Sequence, residues 1–312
     1  MPAAHLYLFS DASPSDWLVD GHDEDWHTIV NFVVQSDPAR TQDIQRGMSH
    51  EELLPQDTSY NATIDSITSR LPHRRLRKWS TRGGYKAQFR GAFATSLNTT
   101  ARPLISACSF QERTLRESKQ ALVASYNRYV GGIEGRGIDF EESTDDRGKR
   151  HLKHSFVNWR TGYHEIKGLE NQILVLLFMA WLIADQYRFY YRELVSNGAH
   201  GFDELRLTIV SDKLSGDDDL RCSSEQNLRN LIDPENNGTQ IVVTRSMVSD
   251  HFSGDLMADN LAGWLNRAMI DSSGPYAKQA KRLVSSGVWA GWHQLQPSID
   301  LLASRPAVDF LK

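Results

Sequence analysis

Leu6-Tyr7-Leu8-Phe9-Ser10-Asp11-Ala12-Ser13 is a short apolar run that stops on a carboxylate and a small polar turn. Its length and β-rich content predict a strand over residues 5–12. Two other segments repeat the arrangement. A strand predicted over 205–210 leads into Asp212, and a helix predicted over 255–269 carries Asp259 among small residues. A fourth acid, Glu165, directly precedes the longest apolar helix, predicted over 169–194. Acids at strand ends, with one more on a helix, form oxygen-rich sites that suit hard divalent cations. Mg²⁺ or Mn²⁺ is therefore the expected cofactor, and phosphodiester chemistry the leading expectation.

Outward from this strand the chain alternates short strands and helices. Residues 28–34, 103–110, 156–163 and 240–244 are further strand candidates. Helices are expected at 111–129, 223–232 and 276–285, and Ser49-x-x-Glu52 is a capping-box pattern that marks a helix start. Residues 131–154 are glycine-punctuated and carry charges of both signs, which predicts a mobile surface loop. The fold class expected is α/β.

Composition narrows the function classes. The 312 residues are 40% hydrophobic and 24% charged, as in a soluble globular protein. The formal net charge of −4 gives no bulk attraction to nucleic acid, so local asymmetry decides. Residues 1–60 hold eleven Asp and Glu against Arg40 and Arg46, whereas residues 70–90 hold eight Lys and Arg and no acid. Cys108 and Cys222 are the only cysteines, which excludes a disulfide framework and a zinc ribbon and predicts a reducing, cytoplasmic compartment. The run 173–184 is too short to span a bilayer, so no membrane is expected.

On the 255–269 helix, Asp255, Asp259 and Gly263 lie one turn apart on one face, while Leu261, Leu265 and Ala268 share another. The small residues Ala258, Ala262 and Gly263 let the backbone approach a neighbour, which suits an acid reaching a metal beside a sheet. The competing reading is an Asp on the polar face of an amphipathic helix.

These motifs, in this order, resemble the domain-of-unknown-function 3800 family. The matching positions are Asp11, Glu165 in Glu165-Ile166-Lys167-Gly168, Asp212, and Asp259 in Ala258-Asp259-Asn260-Leu261-Ala262-Gly263. The resemblance implies a ribonuclease H-like mixed sheet flanked by helices and a metal-dependent nuclease-type site. The family reads Asp-Glu-Ser-Gly at the first motif, whereas this chain reads Asp11-Ala12-Ser13-Pro14. The second acid and the turn glycine are absent.

Two Mg²⁺ or Mn²⁺ ions can activate a water and stabilise the leaving oxygen of a phosphodiester. On this reading Asp11, on a central strand, bridges both ions. Asp212 and Asp259 each hold one from the side, and Glu165 completes the set. The competing reading is four unconnected surface acids. Beside them, Arg74, Arg75, Arg77, Lys78, Arg82, Lys86 and Arg90 are interleaved with Trp79, Tyr85 and Phe89. Cations attract phosphates and aromatic faces stack bases, so nucleic acid is the expected partner. A solvated basic loop is the alternative. His164 and His251 lie near the proposed acids in sequence and can move protons near neutral pH, although a structural histidine is the simpler reading.

The expected organisation is a ribonuclease H-like domain over 1–270, with inserts at 35–100 and 131–155, and a helical extension over 271–312 packed on it. The expected function is a divalent-metal-dependent nuclease or phosphodiesterase. The rival is a catalytically inactive ribonuclease H-like module that binds nucleic acid or a protein partner within a larger assembly. Trp181, Tyr187, Phe189, Tyr190 and Tyr191 suit either a core or a subunit interface, which leaves a homo-oligomer open.

Overall fold

The computed structural model of the chain describes residues 3–13, 25–36, 54–71, 74, 76–80, 92, 96, 104–111, 113, 138–144, 150–158, 162–165, 204–211, 240–247, 253–284, 289–295 and 304–306. The chain is mixed α/β. β1 (Ala3–Ser13) pairs antiparallel with β2 (Trp26–Gln35), and β3 (Leu104–Gln111) pairs antiparallel with β2 on its far side. β4 (Ile138–Thr144), β5 (Arg150–Asn158) and β6 (Gly162–Glu165) form a three-stranded antiparallel sheet of their own. β7 (Glu204–Ser211) returns to the first sheet and runs parallel to β1, and β8 (Gln240–Met247) runs parallel to β7. β9 (Trp289–Leu295) is parallel to β3, and β10 (Ser304–Pro306) is antiparallel to β9. The seven-stranded order is β10-β9-β3-β2-β1-β7-β8, which makes β1 an interior strand with antiparallel neighbours on one side and parallel neighbours on the other.

Burial explains why the first strands read as apolar runs rather than as alternating patterns. Side chains alternate between the faces of a strand. On one face lie Tyr7, Phe9, Val30, Phe32, Ile105 and Ala107, all buried. On the other lie Leu6, Leu8, Ile29, Val33, Cys108 and Phe110, also buried. A strand covered on both faces needs apolar residues at nearly every position.

The first face carries the core. Against it pack α1 (Thr58–Thr68), α2 (Ser253–Ile270) and α3 (Pro275–Val284). The buried residues of α1 are Tyr60, Ile64 and Ile67, a helical spacing of four and three. Its sequence is otherwise polar and β-branched, with poor intrinsic helix propensity. Capping compensates. Asp57 is the N-cap, and its Oδ1 accepts the Tyr60 N–H at 2.9 Å while its Oδ2 accepts the Ser36 hydroxyl. The start marked at Ser49 lies outside the described residues.

Three expectations change. Residues 138–144 and 150–158 are strands, not a mobile loop. The register sets Glu141 opposite Lys153, a pairing that suits an antiparallel ladder. The 35–100 insert holds a helix that was not expected, α1, and Tyr60, Ile64, Ile67, Leu71, Leu76 and Trp79 of the insert all belong to the core. The C-terminal extension is not purely helical: α3 is followed by β9 and β10, which join the main sheet. Trp292 on β9 is buried, and its Nε1–H donates to Ser109 Oγ at 3.0 Å. Of the helix expected at 111–129, Gln111 instead closes β3 and Arg113 is helical; its other residues, and the helices expected at 169–194 and 223–232, lie outside the described residues. Among those described, no helix is long and apolar enough to cross a membrane.

Candidate functional site

Asp11 continues the row formed by Tyr7 and Phe9, so the pleat sets it on the face that α2 covers. It is half-buried, and its Oδ1 accepts the Ala12 N–H at 2.7 Å. Its partner across the ladder is Val30 on β2. The strand continues beyond the expected end at residue 12 and closes at Ser13, because β2 keeps pairing that far. On the β7 side pairing stops two residues short of Ala12, at Ser10 opposite Ser211. Asp11 is therefore the first residue of β1 past its parallel neighbour. Asp212 follows Ser211 directly in the chain and lies outside the described residues.

Asp259 sits midway along α2, and sequence reasoning missed what holds it. Its Oδ2 accepts the backbone N–H of Trp79 at 2.5 Å. The next residue, Asn260, donates from Nδ2 to the Arg77 carbonyl at 2.7 Å and to the Leu256 carbonyl at 2.6 Å. One turn further, a Cβ at Gly263 would overlap the Trp79 indole. Asp259, Asn260 and Gly263 thus form a clamp for the segment 76–80. The small residues do permit a close approach, as expected, but at Gly263 the neighbour is a tryptophan. At Gly254 it is the sheet itself, where a Cβ would stand 2.5 Å from the Phe9 ring.

The start of α2 is held by Tyr60. Its hydroxyl oxygen accepts the Gly254 N–H at 3.0 Å, one of the amides that a helix start leaves without an internal partner. Burial raises the Tyr60 pKa far above that of an ordinary phenol, and the Asp255 carboxylate pushes it the same way against the lowering effect of the backbone amides. The phenol stays neutral and keeps its cap over the whole physiological range. Its ring lies 5.6 Å from Phe9 and 6.3 Å from Tyr7, so the cap is anchored in the aromatic core beneath Asp11.

Glu165 occupies the end of β6, opposite Ser155, in the three-stranded sheet rather than the sheet of Asp11. His164 precedes it, opposite Phe156, and His251 lies outside the described residues. Among the described residues, no group of three or more His, Cys, Asp or Glu is placed to hold one ion.

Of the expected basic grip, Arg74, Arg77 and Lys78 are described, and all three are exposed. Arg75, Arg82, Lys86 and Arg90 lie outside the described residues, as do Tyr85 and Phe89. Arg74 adopts a left-handed backbone with φ of 50°. Trp79 does not offer a face for base stacking. It is 9% exposed, packed on Gly263 and edge-on to Tyr276 with ring centroids 5.9 Å apart. Burial of Leu76 and Trp79 leaves Arg77 and Lys78 projecting between two anchors. The signal that would have identified the clamp is the Asp-Asn pair followed by glycine one turn on.

Comparison with known protein families, curated proteins and solved structures returns no match.

Proposed function

We propose that the chain is a divalent-metal-dependent nuclease or phosphodiesterase built on a ribonuclease H-like sheet. The observation that carries this reading is the end of β1. Asp11 stands on an interior strand at the point where β1 outlasts β7, and the residue that follows β7 is Asp212. Strand ends of this kind bring acids from distant parts of the chain to one edge. The mixed sheet, with α2 across the Asp11 face, supports the same reading.

All four candidates are carboxylates, which suit a hard cation, and Asp11 is half-buried, so its oxygens sit in partly desolvated surroundings. Asp11 and Asp212 would be the principal ligands, with Glu165 as a further acid, while Asp259 serves the fold through its bond to the Trp79 backbone. Bound there, Mg²⁺ or Mn²⁺ would supply an activated water and neutralise the leaving oxygen. The chain itself orients Asp11 through the Ala12 N–H and backs it with the Phe9 and Tyr7 rings. The cations Arg74, Arg77 and Lys78 would hold the phosphate backbone.

A catalytically inactive module is the second reading. Two observations favour it: Asp259 is engaged by the Trp79 backbone, and position 12 is Ala. One experiment separates the two. Labelled DNA, RNA and hybrid substrates are incubated with the purified chain and Mg²⁺, Mn²⁺ or chelator, and melting curves are recorded alongside. Metal-dependent cleavage with a raised melting temperature is the expected result. Intact substrates and an unmoved melting curve in millimolar Mn²⁺ would assign the chain to the binding class.

A further inference from the structure

A chain of buried polar groups crosses the Asp11 face of the sheet and ends on α2. Trp292 of β9 donates its Nε1–H to Ser109 Oγ at 3.0 Å. Ser109 Oγ lies 2.8 Å from Thr28 Oγ1, and the Thr28 O–H donates to Asn266 Oδ1 at 3.5 Å. A hydroxyl has one hydrogen, and that of Thr28 goes to Asn266, so the Ser109 O–H donates to Thr28. The bonds therefore run one way, from the indole to the amide carbonyl. Thr28 and Ser109 are fully buried, and Asn266 is 7% exposed. With Oδ1 turned to Thr28, the amide presents its Nδ2 end elsewhere. Those two N–H donors have no partner among the described residues. An anchor to Thr28 needs only the oxygen, and donors left unpaired in a buried side chain are costly.

The course of α2 sets the place of this amide. Gly254 of α2 rests on Phe9, and Asn266 reaches Thr28, which is opposite Ser13. Phe9, Asp11 and Ser13 share one face of β1, so between these two contacts α2 passes the level of Asp11. Thr28 is a diagonal neighbour of Asp11, whose direct partner is Val30, and such neighbours stand about 7–8 Å apart. We propose that Asn266 binds a backbone phosphate of nucleic acid at the Asp11 site, its Nδ2 donating to a non-bridging oxygen; this rests on the nuclease reading above. A cation bonded to Asp11 at about 2 Å and the phosphate it holds fill a gap of that size. The cation takes one phosphate oxygen and the amide another. A neutral donor suits this place, because a Lys or Arg there would pair with Asp11 and compete with the metal. Thr28, Ser109 and Trp292 are positioning residues, which act on the phosphate only through the amide they orient.

The test measures binding in Ca²⁺, which takes the same oxygen ligands as Mg²⁺ in a looser geometry. Anisotropy of labelled DNA, RNA and hybrid duplexes is followed for the full chain, for Asn266→Asp and for Asn266→Leu. Asn266→Asp keeps the oxygen that anchors Thr28 and loses both donors, so its melting curve in metal-free buffer should match that of the unaltered chain. Both variants should bind about 10-fold or more weakly, the loss expected for a hydrogen bond to a charged group. For Asn266→Leu the salt slope should stay the same, because a neutral donor releases no counterion. Undiminished affinity in a folded variant overturns the proposal. So does a loss confined to Asn266→Leu, which would mark the amide as an anchor alone. A shallower salt slope in that variant, or no binding by the unaltered chain, overturns it as well. Cleavage in Mg²⁺ or Mn²⁺ is scored separately. A chain that cuts while both variants bind undiminished would sink the role of Asn266 and leave the nuclease reading standing. Binding that depends on Asn266 without cleavage would leave the phosphate contact standing and sink the nuclease reading.

Discussion

Asp11 and Asp259 are both half-buried aspartates in the layer between β1 and α2, and they are held in opposite ways. Asp11 is bonded to the next residue of its own strand. Asp259 reaches across 180 residues of sequence to fix the backbone of another segment. A short-range bond orients a carboxylate without making the fold depend on it. A long-range bond makes the carboxylate part of the fold. The contrast teaches that two acids in similar surroundings can divide chemistry from architecture, and that burial alone does not tell them apart.

The largest expected effect is on activity. Asp11→Asn keeps the volume and loses the charge that would hold cations. Loss of even an outer-shell partner of a metal costs about 10–100-fold, so metal-dependent cleavage is expected to fall by more than about 100-fold. The unfolding free energy from urea titration should fall by no more than about 1 kcal/mol, because Asn keeps the shape and the acceptor oxygen for the Ala12 N–H. Wild-type cleavage by this variant at matched metal concentration would remove Asp11 from the site.

Asp259→Ala sharpens the contrast from the other side. The Trp79 N–H loses a charged acceptor, and leaving it unsatisfied costs about 2 kcal/mol. The loss should appear in metal-free buffer as a lower denaturation midpoint at constant slope. A stable Asp259→Ala chain that loses only metal response would reverse the division proposed between the two acids.

Tyr60→Phe has the smallest effect at neutral pH, about 1 kcal/mol, because it removes the oxygen that accepts the Gly254 N–H. Its signature lies at alkaline pH. The folded phenol holds its proton above the ordinary value of 10.0, so the unfolded chain ionises first. Stability contributed by this group is whole below that value and is lost as pH rises through and above it. The variant should therefore show a flatter decline in urea midpoint above about pH 10. An equal decline in both proteins would mean that the phenol is not buried in solution.

Much of the main sheet was legible in the sequence. β1, β2, β3, β7 and β8 are short β-rich runs, and in β1, β2 and β3 burial on both faces keeps most positions apolar. α2 and α3 were legible because their apolar positions recur at helical spacing. α1 was not, since its residues favour other conformations and only Tyr60, Ile64 and Ile67 betray the burial that decides the matter. β4 and β5 were hidden by their charges, which resemble a loop, and the cross-strand register that pairs Glu141 with Lys153 leaves no local mark in the sequence. The site was legible in part. The place of Asp11 at a strand end followed from local pattern. The engagement of Asp259 did not, because its partner is a backbone amide, and amides leave no mark in a sequence. Trp79 looked like a base-stacking residue for the same reason: its identity was visible, and its seat on Gly263 was not.

The parallel pairing of β1 with β7 has a consequence for how the chain is made. Leu6 lies opposite Leu207, roughly 200 residues later. At about 5–20 residues per second, a ribosome needs about 10–40 s to supply that partner once β1 has been synthesised. During that interval an interior strand rich in Leu, Tyr and Phe has one open edge, covered on its other side by β2 alone or by β2 with β3. Nascent chains are thus most exposed to misassociation early in synthesis, and the N-terminal hairpin is the stretch that a holding chaperone would need to shield.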